Sequence, residues 1–242
     1  MKKLITFLMV SCLIAGPGWA QKTVRDANVQ KRNLKNFTAI SVSHGIDLYL
    51  TQSSEEAVAV SAEKDEYRDK IITEVEDGVL KIYYEKENGN WSWGGNWGNR
   101  KLKAYVSVKT LEKLQASGGS DVFCEDMIKA GTLKVQISGG SDLRGQFSCT
   151  DLSISASGGS DADVKGNTTR LKIDASGGSD INAYELSSET CQVHSSGGSD
   201  VNVNVSKAID AHASGGSDIH YKGKPTETKT NKSGSSDIKR VL

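Results

Sequence analysis

Seven aspartates recur along the second half of the chain: Asp121, Asp142, Asp161, Asp180, Asp200, Asp218 and Asp237, at intervals of 21, 19, 19, 20, 18 and 19 residues. Each ends a pentapeptide, Ser-Gly-Gly-Ser-Asp, intact at 117–121, 138–142, 157–161, 176–180, 196–200 and 214–218, and decayed at Ser233-Gly234-Ser235-Ser236-Asp237. Carboxylates arrayed at a fixed interval could gather Ca²⁺, as Gly/Asp-rich nonapeptide solenoids do. This repeat is twice as long and offers one carboxylate per copy, sparse for a cation that takes about six to eight oxygens. Stacked about 4.8 Å apart, neighbouring carboxylates would repel by roughly 1 kcal/mol in water. The expected offset is a backbone N–H donated to each carboxylate in its own corner, as in Asx turns. A structural turn ladder is therefore the expectation and Ca²⁺ the alternative.

Six residues before each aspartate stands a second column: Gln115, Gln136, Ser155, Asp174, His194, His212 and Asn231. Asp174, His194 and His212 fall on consecutive copies, with Asp210 nearby, and neighbouring imidazoles could share a transition metal. A solvated face on which histidine occurs twice is the expected reading, so no metal is assigned. A third constellation is Gly89-Asn90-Trp91-Ser92-Trp93-Gly94-Gly95-Asn96-Trp97-Gly98-Asn99. It has neither strand nor helix period and reads as a loop. The three indoles are expected to cap an open end of the fold; the alternative is that they recognise a sugar ring or protein partner. In the second case Trp91, Trp93 and Trp97 are the ligand-binding candidates. Cys124, Cys149 and Cys191 follow no CxxC or Cys/His spacing and read as apolar core thiols. There is no Gly-x-Ser-x-Gly, P-loop or zinc-helix motif. With no catalytic residue and no cofactor indicated, repetition itself argues against a single active centre.

The elements that must position these columns follow from the residues between them. Seven before each aspartate stand Leu114, Val135, Ile154, Ile173, Val193 and Ala211; nine before stand Leu133, Leu152, Leu171, Cys191 and Ile209. One after stand Val122, Leu143, Ala162, Ile181, Val201, Ile219 and Ile238. Apolar–polar alternation on both sides of a Gly-Gly bend means two short strands and a sharp corner. The same corner in every copy specifies an all-β solenoid with coils of about 19 residues, seven of which build a rod roughly 30 Å long. The front part is more varied. Strands are expected over 37–42 and 46–51 around His44-Gly45, with Asp47 as a degenerate first corner, and over 57–62, 78–84 and 101–108. A short helix is expected over 65–73. One domain is expected from 36 to 242, with the repeats at 111–242 and a flexible leader over 21–35.

Thirty basic and thirty acidic residues among 242 give no net charge, which speaks against a nucleic-acid partner held by its phosphates. At the amino terminus Lys2-Lys3, an apolar run over 4–14 and the small residues Gly18 and Ala20 form the pattern of a secretory signal peptide over 1–20. The run is short for a bilayer span of about 20 residues. Met9-Val10-Ser11-Cys12 loosely resembles a lipobox, so a lipid anchor at Cys12 is the alternative to cleavage after Ala20.

The runs Phe37–Gln52, Thr73–Ile82 and Ala116–Val122 carry a resemblance to a known family. Together they look like the putative auto-transporter adhesin, head GIN domain family of Bacteroidetes-type bacteria. The resemblance implies a single-stranded right-handed parallel β-helix related to pectin-lyase-like proteins, and a role in adhesion. It carries over no catalytic residues. His44 stands where the family usually has Gly or Ser, which implies an irregular first corner. The reading is an exported, non-catalytic cell-envelope protein of a Gram-negative bacterium, in the periplasm or at the cell surface. It would present a β-helical surface to a glycan or an envelope protein. The alternative is a carbohydrate-binding or polysaccharide-degrading protein of the same fold; a self-associating homo-oligomer is a third reading.

Overall fold

Period-two alternation on either side of each corner buries one set of side chains and exposes the next, and the buried sets stack into continuous columns. The computed structural model describes residues 26, 28–85 and 100–241. The proposed signal peptide, Cys12, and Trp91, Trp93 and Trp97 lie outside the described residues. The chain forms a β-solenoid of about seven turns. Its central coils are five long bent strands: β9 (Val122–Ser138), β10 (Leu143–Ser157), β11 (Ala162–Gly177), β12 (Ile181–Gly197) and β13 (Asp200–Gly215), each parallel to the next. Before them in sequence come β1 (Gln30–Arg32), β2 (Ala39–Ser43), β3 (Asp47–Gln52), β4 (Ala57–Ser61), α1 (Asp65–Arg68), β5 (Ile71–Glu76), β6 (Val79–Tyr84), β7 (Lys103–Val108) and β8 (Lys113–Ser117). After them come β14 (Asp218–Lys222), β15 (Glu227–Lys232) and β16 (Asp237–Arg240).

Every coil contributes to two faces. The leading face, after the corner, runs β1-β4-β7-β3, then the first halves of β9–β13, then β14 and β16. The trailing face, before the corner, runs β5-β6-β2-β8, then the second halves of β9–β13, then β15. Between them lies the core. Leu80, Ile40, Leu114, Val135, Ile154, Ile173, Val193 and Ala211 are register partners from coil to coil and all fully buried. A matching column on the leading face runs Ala104, Leu48, Val122, Leu143, Ala162, Ile181, Val201 and Ile219. Cys149 and Cys191 are buried free thiols and Cys124 is half-buried. Burial pushes them up to about 11 for Cys149 and about 12 for the other two.

The coils do not stack in chain order throughout. β2 sits between β6 and β8, and β3 between β7 and β9, so the earliest coil is clasped on both sides by chain that follows it. Beyond β6 and β7 the amino-terminal end is finished by antiparallel strands: β4 on β7, β1 on β4, and β5 on β6. β1 falls within the stretch expected as a loose leader, and it adds Gln30–Arg32 to the edge of β4. The helix expected over 65–73 is one turn, ending at Arg68. Ile71 is instead buried at the start of β5, which hairpins onto β6 through Asp77-Gly78, both at positive φ (50° and 74°). That is the backbone a two-residue hairpin loop favours, and Asp-Gly supplies it.

The corners need glycine because the first bend residue is left-handed and lies on its neighbour. At Gly139 φ is +67°, and a Cβ would come within 3.2 Å of the Gly118 nitrogen. Ser43–Asp47 forms a corner of the same kind. His44 (φ 67°) and Gly45 (φ 71°) reproduce the pair at Gly118 and Gly119 (64° and 74°), so the histidine is accommodated without an irregular turn. The second glycine changes midway: Gly119, Gly140 and Gly159 have positive φ, whereas Gly178, Gly198 and Gly216 do not. Bond direction reverses with it. Gly119 N–H donates forward to Gly139 O (3.1 Å), while Gly198 N–H donates back to Gly177 O (2.7 Å).

Candidate functional site

Each corner carries three polar side chains, and the structure gives two of them inter-coil work. In five coils the aspartate N–H donates to Oδ1 of the aspartate before it: Asp142 to Asp121 (3.1 Å), Asp161 to Asp142 (3.4 Å), Asp180 to Asp161 (3.2 Å), Asp200 to Asp180 (3.3 Å) and Asp237 to Asp218 (3.1 Å), while Asp218 N–H donates to Ser199 O (3.2 Å). The donor thus comes from the next coil rather than from the same corner, and one bond both satisfies a carboxylate and ties two coils. Asp237 is held differently. It accepts from Ile238 N–H (2.9 Å) and pairs with Lys232 (3.3 Å) and Lys239. The Lys239 ammonium, followed by Lys232, pulls its carboxyl down to about 2. At the first corner, burial and then the Asp121 charge hold the Asp47 carboxyl above its usual range.

The fourth corner residue forms a second ladder that reasoning on the aspartates missed. Ser120, Ser141, Ser160, Ser179, Ser199 and Ser217 are fully buried. The N–H of Ser120 donates to Ser141 Oγ (3.0 Å), Ser141 to Ser160 (3.1 Å), Ser160 to Ser179 (3.3 Å) and Ser179 to Ser199 (3.4 Å). Ile46 N–H donates to Ser120 Oγ (3.0 Å), extending the ladder to the clasped coil. The two ladders run in opposite senses, serine N–H forward and aspartate N–H back. An inward serine beside an outward aspartate was the available signal, because successive strand residues point to opposite faces.

The outer surface of the trailing face carries polar side chains that stand outside the core. Two shallow furrows run along it, parallel to the solenoid axis. One, about 780 Å³, is bounded by the Gln115-to-Asn231 column and by the first serine of each corner. The other, about 840 Å³, lies farther from the corner, between columns that include Lys134, Lys172 and Lys229 on one side and Asp151 and Arg170 on the other. In the first furrow Gln115 Nε2 donates to Gln136 Oε1 (3.1 Å). Farther along, His194 and His212 stack with ring centroids 5.0 Å apart and 14° between planes.

The structure does place Asp174, His194 and His212 together, with the imidazole nitrogens turned to separate carboxylates. His212 Nε2 lies 2.8 Å from Asp210 Oδ1, and His194 Nδ1 lies 3.4 Å from Asp174 Oδ1. Lys172 and Lys229 flank those carboxylates at 3.1 and 3.2 Å. Burial works to raise the Asp210 carboxyl, but Lys229 and His212 outweigh it and hold it below the usual range. Among the described residues no group of three or more His, Cys, Asp or Glu side chains is arranged to hold a metal ion. On the leading face an unforeseen aromatic stack joins three coils, Tyr105 to Tyr49 at 5.2 Å and Tyr49 to Phe123 at 5.3 Å. Tyr105 also donates to Asp26 (3.1 Å).

Solved structures of similar shape exist. A putative adhesin from Bacteroides fragilis superposes with a TM-score of 0.79 at 23% identity, covering 88% of this chain and 96% of its own. A putative adhesin from Parabacteroides merdae gives 0.68 at 17%, covering 89% and 96%. A putative lipid binding protein from Parabacteroides distasonis gives 0.65 at 21%, covering 90% and 98%. At these identities the likeness shows the fold alone. Among curated proteins none is similar enough to count as a relative. A family model matches residues 36–225, from the strand that opens the clasped coil to the last but one corner and beyond. On that match the chain belongs to the family described as putative auto-transporter adhesin, head GIN domain.

Proposed function

We propose that this is an exported, non-catalytic protein of the cell envelope that acts as an adhesin, with the outer surface of the trailing face as its binding surface. The observation that carries the reading is repetition on that surface. Each intact corner sets its first serine outward in the same place, beside a column of polar side chains, which suits contact along a length rather than reaction at a point. Family membership supports it. Two of the carboxylates there, Asp174 and Asp210, are each paired with a lysine and lie beside a histidine. Export rests on the amino-terminal pattern over 1–20, with the periplasm or outer surface of a Gram-negative cell as destination and a lipid anchor at Cys12 as the alternative. No helix among the described residues is long and apolar enough to cross a membrane.

The test uses beads coated with the purified protein, and cells with and without the gene. Bead attachment to host or bacterial surfaces, loss of attachment by the deletion strain, and digestion of the protein on intact cells by added protease are expected. Absence of attachment, or release of soluble products from polysaccharide by the purified protein, would overturn the reading.

A further inference from the structure

The first serine of each intact Ser-Gly-Gly-Ser-Asp corner makes no hydroxyl hydrogen bond among the described residues, whereas Ser43 of the first corner bonds His44 Nδ1 (2.7 Å). Ser117, Ser138, Ser157, Ser176, Ser196 and Ser214 are half-buried along the first furrow, and none of their hydroxyls bonds another residue among the described residues. The contrast lies within the pentapeptide, where the fourth and fifth residues are engaged from coil to coil. The bend does not explain the hydroxyl: an alanine methyl would be as small, and serine's advantage in turns comes from bonding nearby backbone, which these side chains do not do. The result is a row of unengaged donor–acceptor groups one coil apart, about 4.8 Å. Across the furrow from Ser117, Ser138 and Ser157 stand Gln115, Gln136 and Ser155, so that half is lined by hydroxyls and amides with no ionisable group. In the other half the ionisable groups are Asp174, His194 and His212, where Asp174 lies beside His194 and Lys172, and His212 beside Asp210.

We propose that this furrow binds a linear, uncharged glycan laid along the solenoid axis, with the first serine of each corner and its partner across the furrow as the contacting groups. The inference rests on the adhesin reading and names its ligand class. A polyhydroxyl chain complements the lining: sugar hydroxyls both donate and accept, as serine hydroxyls and glutamine amides do. The coil rise is close to the length one pyranose adds to an extended chain, so successive sugars meet successive serines. The furrow is shallow, so each sugar keeps one side in water. Binding is therefore weak per unit and accumulates over coils.

Calorimetric titration of the full chain with neutral gluco-, manno- and xylo-oligosaccharides of increasing length tests this, with polygalacturonate as the charged comparator. Expected is binding by at least one neutral series that tightens with length and survives high salt. The variant carrying Ser138→Ala, Ser157→Ala and Ser176→Ala should weaken it on the order of tenfold or more, with little change in melting temperature. The proposal is overturned if no neutral series binds, if the variant binds as well as the wild type, or if only polygalacturonate binds and salt abolishes it. Bead attachment separates the two readings. Variant beads that attach normally, with glycan binding lost or absent, retain the adhesin and remove the furrow from it; wild-type beads that fail to attach remove the adhesin reading itself.

Discussion

Serine occurs twice in each intact corner, and two glycines separate a hydroxyl that faces a furrow from one that holds the coils. Ser160 is fully buried and accepts the Ser141 N–H at 3.1 Å. In Ser160→Ala that N–H is left without its acceptor inside the core, a loss of about 1–3 kcal/mol. Ser157→Ala removes a hydroxyl with no protein partner and should shift stability by less than about 0.5 kcal/mol. Urea denaturation of the two variants side by side checks the difference, and equal midpoints would contradict the assigned roles. At this scale the sequence was read incompletely. The aspartate column stood out because charge at a fixed interval demands an explanation, and its donor turned out to be the next coil. The buried serine went unnoticed because a small polar residue beside Gly-Gly looks like turn chemistry until its burial is known.

Strands and corners were legible wherever a column of identical character repeats. The partners Val135, Ile154 and Ile173 fall where alternation from the corner places them. The front part was harder, because its strands have no repeat to align on. The one-turn helix at Asp65–Arg68 was overextended into Ile71–Thr73. Asp77-Gly78 was the local signal for a hairpin that would have corrected it. Nor could alternation reveal that β2 and β3 lie between later strands, since an inward column reads the same whichever coil is its neighbour. Close approach between elements was equally silent. Gly166 in β11 has φ +113°, and a Cβ there would lie 2.0 Å from Phe147 O of β10. Gly166→Ala therefore forces the two strands apart and should destabilise by about 3 kcal/mol or more, read as a lowered urea midpoint. Wild-type stability would refute the close contact.

As a whole molecule the protein is a stack in which each central coil pairs its strands with the one before and the one after. Stability is then close to a sum over coils and their interfaces. Removing residues 162–180 joins Asp161 to Ile181 and takes out one coil of 19 residues, leaving equivalent positions abutted. The shortened chain should fold with an unchanged β-type circular dichroism spectrum. It should melt lower by on the order of 5 °C, for a loss of about 2 kcal/mol. An aggregated or unfolded product would show that the coils are not interchangeable.

The clasped layer of β2 and β3 gives this stack a mechanical polarity. Under tension applied through the two termini, the coils from β16 back through β10 can peel away one after another, each yielding a single seam. From the other direction β1 comes off β4, and the pull then meets β2, gripped by β6 on one flank and β8 on the other. A tether loaded in this way frays from its carboxyl-terminal side while its amino-terminal knot holds.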